Sequence, residues 1–254
     1  MNEPTKNFGP TQPALGALRS IEGCSKTVSV LTGRLRELSA FQGNRLLDVG
    51  CGDGSFTIAL SDRFDEVHGI DVQEPGLERF RERVRTNSKF SVHSMSAETL
   101  SFPANHFDTV VSIETIEHIP DLVAAVAEIS RVVRPGGEVL LTCPNRWFPF
   151  ETHGIRWRGK SRYGRFPLIT YVPFLHDRFS LARVFTVRRL KKLFIPHGFV
   201  LTGIRYAWPT FEHGGNPLQS MFRPLFGLMR TMEGSPLRMF GTSIVIRFEK
   251  VRPR

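Results

Sequence analysis

Cysteine is scarce in this sequence, and no long apolar run is present. Three of the 254 residues are cysteines, Cys24, Cys51 and Cys143, and three scattered thiols cannot build a disulfide framework. No uncharged apolar run approaches the roughly 18 to 20 residues that a bilayer-spanning helix needs. The first twenty residues contain Glu3 and several prolines, without the apolar stretch of a secretory signal. We therefore expect a cytoplasmic protein in a reducing compartment.

The overall composition is ordinary and excludes further classes of chain. A hydrophobic fraction of 41% with 23% charged residues is typical of a packed globular protein. It excludes a disordered chain, a collagen and a coiled coil. The sequence also contains no internal repeat and no low-complexity tract.

Positive charge is in excess and is unevenly distributed. The 34 Lys and Arg residues outnumber the 24 Asp and Glu residues, which gives a formal net charge of +10. Residues 45–145 carry 9 basic and 16 acidic side chains, a net charge of −7. Residues 156–192 carry 11 basic side chains and one acidic, a net charge of +10. The basic block indicates an anionic partner for that part of the chain.

Short apolar runs alternate with helical patterns over most of the chain. A loose arm over 1–23 precedes an amphipathic helix predicted from Ser25 to Phe41. Strands are predicted over 46–49, 67–70, 90–93, 109–113, 138–143, 199–206 and 243–248. Helices are predicted over 55–63, 75–84, 121–133 and 186–193. This alternation is typical of a doubly wound α/β sheet with mainly parallel strands.

A glycine-rich loop, Asp48-Val49-Gly50-Cys51-Gly52-Asp53-Gly54, follows the first predicted strand. It opens a helix at the carboxyl end of a strand, which is where open α/β sheets bind ligands. Glycine permits the positive φ and the close backbone approach that such a ligand requires. Asp71 ends the next strand, 19 residues after Gly52, where a carboxylate can meet a ribose diol. A dinucleotide fingerprint would need glycine at position 55, where this chain has Ser55.

These motifs resemble those of the class I S-adenosylmethionine-dependent methyltransferases, in particular the type 11 group that includes quinone-biosynthesis methyltransferases. Residues 46–54 are similar to the first motif of that family, and residues 69–71 to its acidic ribose-binding motif. Residues 97–102 are similar to the adenine-binding segment, residues 107–108 to the start of the fourth strand, and residues 134–137 to the turn before the fifth. The resemblance covers about residues 44–145.

The resemblance implies S-adenosyl-L-methionine as cofactor and a Rossmann-like, doubly wound sheet of seven strands whose last strand is antiparallel. We expect an N-terminal arm and helix over 1–43 and a methyltransferase domain over 44–254, with a cofactor-binding core over 44–145 and two lid insertions, 146–185 and 207–242. The residues that the resemblance implies for cofactor binding are Asp48, Gly50, Gly52, Gly54, Asp71, Ser96, Ala97 and Glu114. Members of the family often have Asp where this chain has Ser96, a weaker acceptor for the adenine amino group.

Glu114, Glu117 and His118 follow the fourth strand and would share one face if this turn were helical. Their Glu-Thr-Ile-Glu-His sequence resembles that of metal-dependent O-methyltransferases of polyprenyl catechols and of small-RNA 2′-hydroxyl methyltransferases. The RNA enzymes use a further histidine, which His153 or His176 would supply here. Three roles stay open: a Mg²⁺ site of Glu114, Glu117 and His118, a metal-free lining of the cofactor or substrate site, or helix capping.

Methyl transfer to a hydroxyl requires a proton acceptor, and two histidines are candidates. Because the cofactor is already activated, the protein has to align donor and acceptor, exclude water and remove a proton. Histidine is the usual base near neutral pH. His118 lies in the cluster after the fourth strand, and His153 follows the fifth strand and is expected to border the acceptor pocket. The expected catalytic residues are therefore His118, His153 and Glu117.

Both insertions combine apolar and basic residues. The first shows no regular spacing of apolar residues and is therefore expected to be irregular. In it, aromatic residues alternate with Arg and Lys. Such a mixture fits phosphates and stacked bases or the headgroups and interface of an anionic membrane. The second carries apolar residues from Leu218 to Met232 at helical spacing, which indicates a lid packed on the core, a membrane-surface or acyl-binding lid, or a dimer contact.

We therefore expect methylation, on oxygen, of a hydrophobic or lipid-linked small molecule such as a quinone precursor or a glycolipid. Peripheral contact with an anionic membrane surface is part of this expectation. One alternative is an RNA methyltransferase that uses residues 156–192 to bind phosphates. The other is a non-catalytic protein on the same fold that binds a membrane or a partner protein through the lid.

Overall fold

A seven-stranded sheet forms the centre of the computed structural model, which describes residues 25–162, 166–208 and 235–252. Its strands are β1 (Gln42–Val49), β2 (Arg63–Asp71), β3 (Phe90–Ser94), β4 (Phe107–Ile113), β5 (Val133–Pro144), β10 (Phe199–Ala207) and β11 (Ser243–Lys250). Four short strands lie outside it: β6 (Phe150–Glu151), β7 (Ile155–Trp157), β8 (Lys160–Arg162) and β9 (Phe166–Pro167). The α-helices are α1 (Ser25–Arg36), α2 (Ser55–Leu60), α3 (Glu74–Val84), α4 (Leu122–Val132), α5 (Pro173–Phe179) and α6 (Val187–Phe194). Short 3₁₀ helices span Ile169–Tyr171, Ile195–His197 and Pro236–Phe240.

The strand order places the first and fourth strands at the centre of the sheet. It runs β10-β11-β5-β4-β1-β2-β3, and the strands from β5 to β3 pair in parallel. β11 runs antiparallel to both of its neighbours, β5 and β10. The predicted α/β sheet of seven strands with an antiparallel last strand is therefore confirmed. Because parallel strands end at the same edge, the loops after β1, β2 and β4 meet there.

Apolar side chains fill both faces of the sheet. Leu46 and Leu47 are adjacent in β1 and belong to different hydrophobic clusters, as the alternation of side chains along a strand requires. One cluster includes Ile129 of α4 and Leu190 of α6, and the other includes Leu35 of α1. Helices on both faces explain why the central strands are apolar on both sides.

Two helices are shorter than the periodicity predicts. The first helix ends at Arg36 and not at Phe41, whose φ of 47° is left-handed and whose amide donates a hydrogen bond to the Ser39 hydroxyl. This turn reverses the chain into β1. The second helix ends at Leu60 and not at Arg63, because Arg63 already begins β2.

The first insertion is more regular than expected, so the prediction of an irregular segment is wrong. β6 pairs with β9, β7 and β8 form a hairpin, and α5 contributes a short helix. Strands of two or three residues show no periodicity in a sequence, which explains the error. In the second insertion the predicted apolar face from Leu218 to Met232 lies outside the described residues, as does the arm over 1–23. Across the described ranges, no helix combines the length and the apolar character needed to cross a bilayer.

Candidate active site

The loop between β1 and α2 holds three glycines with left-handed backbone conformation. The φ angles of Gly50, Gly52 and Gly54 are 82°, 53° and 76°. A Cβ on Gly50 would lie 2.2 Å from the side chain of Thr115, and one on Gly54 would lie 2.1 Å from that of Phe80. Packing behind the loop therefore excludes a side chain at both positions. A Cβ on Gly52 would meet no described atom within 4 Å, so the middle glycine presents bare backbone to open space.

Asp71 is tied to this loop by its carboxylate. Oδ2 accepts a hydrogen bond from the amide of Gly52 at 3.0 Å, and Oδ1 accepts one from the amide of Gln73 at 2.9 Å. Each carboxylate oxygen keeps a further lone pair for a ligand. The structure thus brings together the two parts of the predicted cofactor site, and it fixes the orientation of the carboxylate that would meet a ribose.

Asp48 lies beneath the loop and is only 1% exposed. Its Oδ2 accepts a hydrogen bond from the Thr57 hydroxyl at 2.6 Å, which connects β1 to α2. Its Oδ1 has no hydrogen-bond partner among the described residues. Burial raises the pKa of Asp48 to about 7, although the Thr57 hydroxyl opposes the shift. A cation bound above the loop would favour the ionised form of this carboxylate.

Ser96 and Ala97 follow β3, beside the strand that ends at Asp71. The Ser96 hydroxyl is engaged in a local turn, where it accepts from the Glu98 amide and donates to the Glu98 carboxylate, both at 3.2 Å. Glu98 in turn accepts from the amide of Asp121 at 2.6 Å. The Ser96 hydroxyl therefore serves first to fix this turn.

The segment after β4 is a turn and not a helix, so the three polar residues do not share a helical face. Glu114 has a φ of 51° and donates its amide to the carbonyl of Thr142 at 3.0 Å. α4 begins at Leu122, and its N-cap is Asp121, which accepts from the amides of Val123 and Ala124. The helix-capping role considered for the cluster is therefore wrong, because a different residue performs it.

Glu117, His118 and His153 converge at the carboxyl ends of β4 and β5. The Glu117 side chain is fully buried, and neither of its oxygens has a hydrogen-bond partner among the described residues. His153 Nε2 lies 3.6 Å and His118 Nε2 lies 3.9 Å from Glu117 Oε1. One donor atom from each residue lies within 4.8 Å of the other two. The structure thus groups His153, and not Glu114, with the other two residues of the expected metal set.

Glu151, which no motif in the sequence indicates as a site residue, connects His153 to His176. The buried Glu151 carboxylate accepts from the His153 amide at 2.7 Å and from the Ser180 hydroxyl at 3.0 Å, and it lies 2.6 Å from His176 Nε2. Its Oε1 is also 3.6 Å from His153 Nδ1. His176 is therefore a partner of Glu151 and not a ligand beside Glu117. In the sequence, the spacing of Glu151 and His153 is the feature that indicates this pairing, because residues i and i+2 lie on the same side of an extended segment.

Burial and charge set the protonation of this cluster. Burial lowers the pKa of His153, but the nearby carboxylates of Glu117 and Glu151 outweigh it and raise the pKa to about 10. Burial also lowers the pKa of His118, and the carboxylate of Glu117 does not compensate for it. Burial and the charge of Glu117 raise the pKa of Glu114 to about 7. At neutral pH the cluster therefore holds a charged His153 beside a neutral His118.

Comparisons with known proteins agree with this geometry. Residues 47–141 match the family model described as "Methyltransferase domain". Over 110 residues the chain is 38% identical to a ubiquinone biosynthesis O-methyltransferase of Aromatoleum aromaticum, a match that covers 42% of this chain and 46% of the relative. Over 111 residues it is 34% identical to the protein of the same name from Alkalilimnicola ehrlichii, covering 43% and 45%. The chain thus spans less than half the length of these relatives.

A solved structure with the same fold covers more of the chain. The S-adenosylmethionine-dependent methyltransferase of Mesorhizobium loti superposes with a TM-score of 0.60 at 17% identity, covering 86% of this chain and 96% of that one. A likeness at this identity shows the fold, while the family match spans the glycine loop, Asp71 and most of β5, which begins at Val133 and so includes residues 134–137 that were expected to form a turn before it. Residues 47–141 are therefore similar to a methyltransferase domain, and the chain has the fold of S-adenosylmethionine-dependent methyltransferases.

Proposed function

We propose that this protein transfers a methyl group from S-adenosylmethionine to a hydroxyl oxygen of a hydrophobic or lipid-linked small molecule. The observation that carries the proposal is the pairing of neutral His118 with buried Glu117 and charged His153 at the edge where the glycine loop and Asp71 lie. The curated relatives, which are named as ubiquinone biosynthesis O-methyltransferases, support the choice of oxygen and of a lipid-linked acceptor.

The cofactor is proposed to bind across the ends of β1 and β2. Gly50, Gly52 and Gly54 form the backbone cradle, and Asp71 accepts hydrogen bonds from the ribose hydroxyls. Ser96 and Ala97 border the adenine. Asp48 and Glu114 supply negative charge near a cationic ligand, and each has a carboxylate oxygen without a hydrogen-bond partner among the described residues. When bound, the cofactor supplies a methyl group on a positively charged sulfur.

His118 is proposed as the proton acceptor. Its side chain is 36% exposed whereas that of His153 is 17% exposed, so a substrate hydroxyl reaches His118 more readily. With the cofactor bound, its methyl group would pass to the substrate hydroxyl oxygen, and the imidazole of His118 would accept the proton that this oxygen loses. Glu117 then stabilises the resulting imidazolium across 3.9 Å. His153, already protonated, balances the charge of Glu117 in the buried site.

The Mg²⁺ site expected from the sequence fits this cluster poorly. Mg²⁺ prefers an octahedral set of oxygen ligands, whereas Glu117, His118 and His153 offer one carboxylate and two imidazoles. His153 would also have to release a proton that two carboxylates hold. We therefore derive no step through Mg²⁺, and we expect full activity in excess chelator. Loss of activity in chelator that Mg²⁺ restores would reverse this assignment.

The acceptor is proposed to enter beside the first insertion, which exposes apolar and basic residues in separate places. Leu168, Val172 and Phe174 are 59%, 43% and 70% exposed around the start of α5. The β7–β8 hairpin carries the exposed cations Arg156, Arg158, Lys160 and Arg162. α5 lies against this hairpin, where the rings of Trp157 and Phe179 are 5.1 Å apart. An apolar tip beside a basic hairpin fits an anionic membrane from which a lipid-linked acceptor is taken.

An RNA acceptor is the second candidate, because the same hairpin exposes Trp157 among cations. The exposed segment 168–175 favours lipid, since it contains no Lys or Arg to contact phosphates. The test supplies methyl-labelled cofactor with a polyprenyl catechol in anionic vesicles, with a short-chain catechol, or with total RNA. We expect label in the polyprenyl catechol, a weaker signal in the short-chain compound and none in RNA. Label confined to RNA, or no label in any acceptor despite cofactor binding, would overturn the proposal.

A further inference from the structure

A second cluster of histidines lies outside the candidate active site, on β2, β3 and the segment that enters β4. Glu66 and His68 are two residues apart in β2 and therefore point to the same side of that strand. His93 lies in β3, and His106 immediately precedes β4. The cofactor loop and Asp71 lie at the carboxyl ends of the strands, whereas His106 lies at the amino end of β4. The methyl-transfer mechanism uses none of these four side chains.

The rings of His68 and His93 share one hydrogen bond. His68 Nδ1 is 3.4 Å from His93 Nε2, the ring planes differ by 10° and the ring centroids are 5.6 Å apart. Two imidazole rings that lie edge to edge, with their facing nitrogens 3.4 Å apart, have centroids about as far apart as those observed here. The two nitrogens therefore point at each other. One nitrogen carries the hydrogen and the other accepts it. When His68 is the donor, its Nε2 carries a lone pair on the opposite side of the ring.

That opposite side of His68 meets two further donor groups. His68 Nε2 lies 3.9 Å from Glu66 Oε2, and donor atoms of Glu66, His68 and His106 all lie within 4.8 Å of one another. Phe102 and Phe107 pack edge-on against the His68 ring and restrict its orientation. A metal-binding histidine characteristically donates its other ring N–H to a neighbouring acceptor, which is the role left to His93.

The protonation of the cluster suits a metal ion at neutral pH. Burial lowers the pKa of His68, His93 and His106, so their rings are neutral and able to act as ligands. The hydrogen bond from Arg45 lowers the pKa of Glu66 and keeps it ionised. Arg45 also competes for Glu66, with Nε 2.8 Å from Oε2, but a carboxylate has about four lone-pair sites and can serve both partners.

We propose that Glu66, His68 and His106 bind a divalent transition metal of the Zn²⁺ class, with His93 as the hydrogen-bond partner that orients His68. Two imidazoles and a carboxylate favour such a metal over Mg²⁺ or Ca²⁺. The ion would join β2 to the segment that enters β4. Because it would bind the folded state, tighter binding would give greater stabilisation of the folded protein. The proposal does not depend on methyl transfer.

The test titrates the chelator-treated full-length protein with Zn²⁺ in competition with a chromogenic chelator. The wild type is expected to bind Zn²⁺ with an affinity that His106→Gln lowers at least tenfold and that His93→Gln lowers about 10- to 100-fold. His118→Gln controls for the active-site cluster, which has the same donor types, and His197→Gln controls for surface histidines. Both controls are expected to bind as the wild type does.

Arg45→Gln provides a variant whose effect cannot come from unfolding. Removal of the competing guanidinium is expected to tighten Zn²⁺ binding several-fold, with circular dichroism unchanged. The proposal would be overturned if the wild type bound no Zn²⁺, if His106→Gln bound it as tightly as the wild type, or if His118→Gln alone removed the binding. Tighter binding by Arg45→Gln together with loss in His106→Gln would support it.

Discussion

Two histidines share one carboxylate, and their surroundings shift their pKa values in opposite directions. His153 lies between Glu117 and Glu151 and is held protonated, with a pKa of about 10. His118 lies 3.9 Å from Glu117, and burial lowers its pKa despite that carboxylate. A base must be deprotonated to accept a proton, so the neutral imidazole of His118 is the better candidate at physiological pH.

This difference leads to a prediction for His118→Gln. We expect kcat to fall about 100-fold or more, because general-base catalysis contributes on that order. The wild-type rate is expected to decline at acidic pH, as His118 becomes protonated, and the variant is expected to lack this decline. Steady-state rates between pH 5 and pH 9 measure both effects. His197→Gln, outside the site, is the matched control, and an unimpaired rate in His118→Gln would exclude His118 as the acceptor.

Asp48 links folding stability to pH. Its pKa of about 7 in the folded protein exceeds the value of about 3.9 expected in the unfolded chain. Between these values the folded protein retains a proton that the unfolded chain has released, so stability falls as pH rises from about 4 to about 7. Asp48→Asn cannot ionise and keeps an acceptor for Thr57.

We therefore expect Asp48→Asn to gain stability relative to the wild type as pH rises. The difference in free energy of unfolding should be on the order of 4 kcal/mol more favourable at pH 8 than at pH 4. Urea denaturation of the cofactor-free protein at both pH values measures it. Asp65→Asn, on an exposed part of β2, is the control. A difference between variant and wild type that is the same at both pH values would contradict the assignment.

At the scale of elements, the glycines of the β1–α2 loop have two different roles. Packing requires Gly50 and Gly54, whereas Gly52 faces open space in which a ligand could bind. Gly54→Ala would place a methyl group 2.1 Å from Phe80 at a φ of 76°, so we expect a loss of about 2 to 4 kcal/mol of stability. Gly52→Ala meets no described atom and should cost about 1 kcal/mol for its left-handed φ. Thermal unfolding and cofactor titration of both variants test this difference. Gly52→Ala should lose cofactor affinity while remaining folded, and unchanged affinity would show that the ligand lies elsewhere.

The elements that could be predicted from the sequence are those whose periodicity or glycine pattern is local. Buried parallel strands such as β5, with Val139, Leu140 and Leu141 in succession, appear as apolar runs, and the glycine loop with Asp71 depends on a spacing that the sequence displays. The small sheets of the first insertion and the role of Glu151 could not be predicted. Glu151 acquires its function from His176, 25 residues away, and contacts at that separation depend on tertiary packing. The turn at Glu114 was also missed, because a positive φ is uncommon for a non-glycine residue.

At the scale of the whole molecule, charge is divided between an acidic core and a basic segment. Residues 45–145 carry −7 and residues 156–192 carry +10. The exposed cations of the β7–β8 hairpin adjoin the exposed apolar residues of 168–175, so both would meet the same surface. We expect the protein to float with anionic vesicles, to bind neutral vesicles weakly, and to be released as salt rises.

A pair of charge-matched variants tests that orientation. Arg156→Gln with Arg158→Gln should weaken binding to anionic vesicles about 30-fold, at about 1 kcal/mol per cation. Arg81→Gln with Arg85→Gln removes the same charge at the end of α3 and should have little effect. Equal losses in the two variants would mean that net charge alone, and not this hairpin, mediates binding. Tight RNA binding that falls steeply with salt would favour the alternative acceptor.

The central claim is that the glycine loop and Asp71 form a working S-adenosylmethionine site, and calorimetric titration with the cofactor tests it most directly. We predict saturable binding at one site by the wild type. Asp71→Ala should lower the affinity at least tenfold, because it removes the acceptor for the ribose and for the Gly52 amide, while Asp71→Asn should retain part of it. No heat of binding by the folded wild type, or an affinity that Asp71→Ala leaves unchanged, would contradict the account.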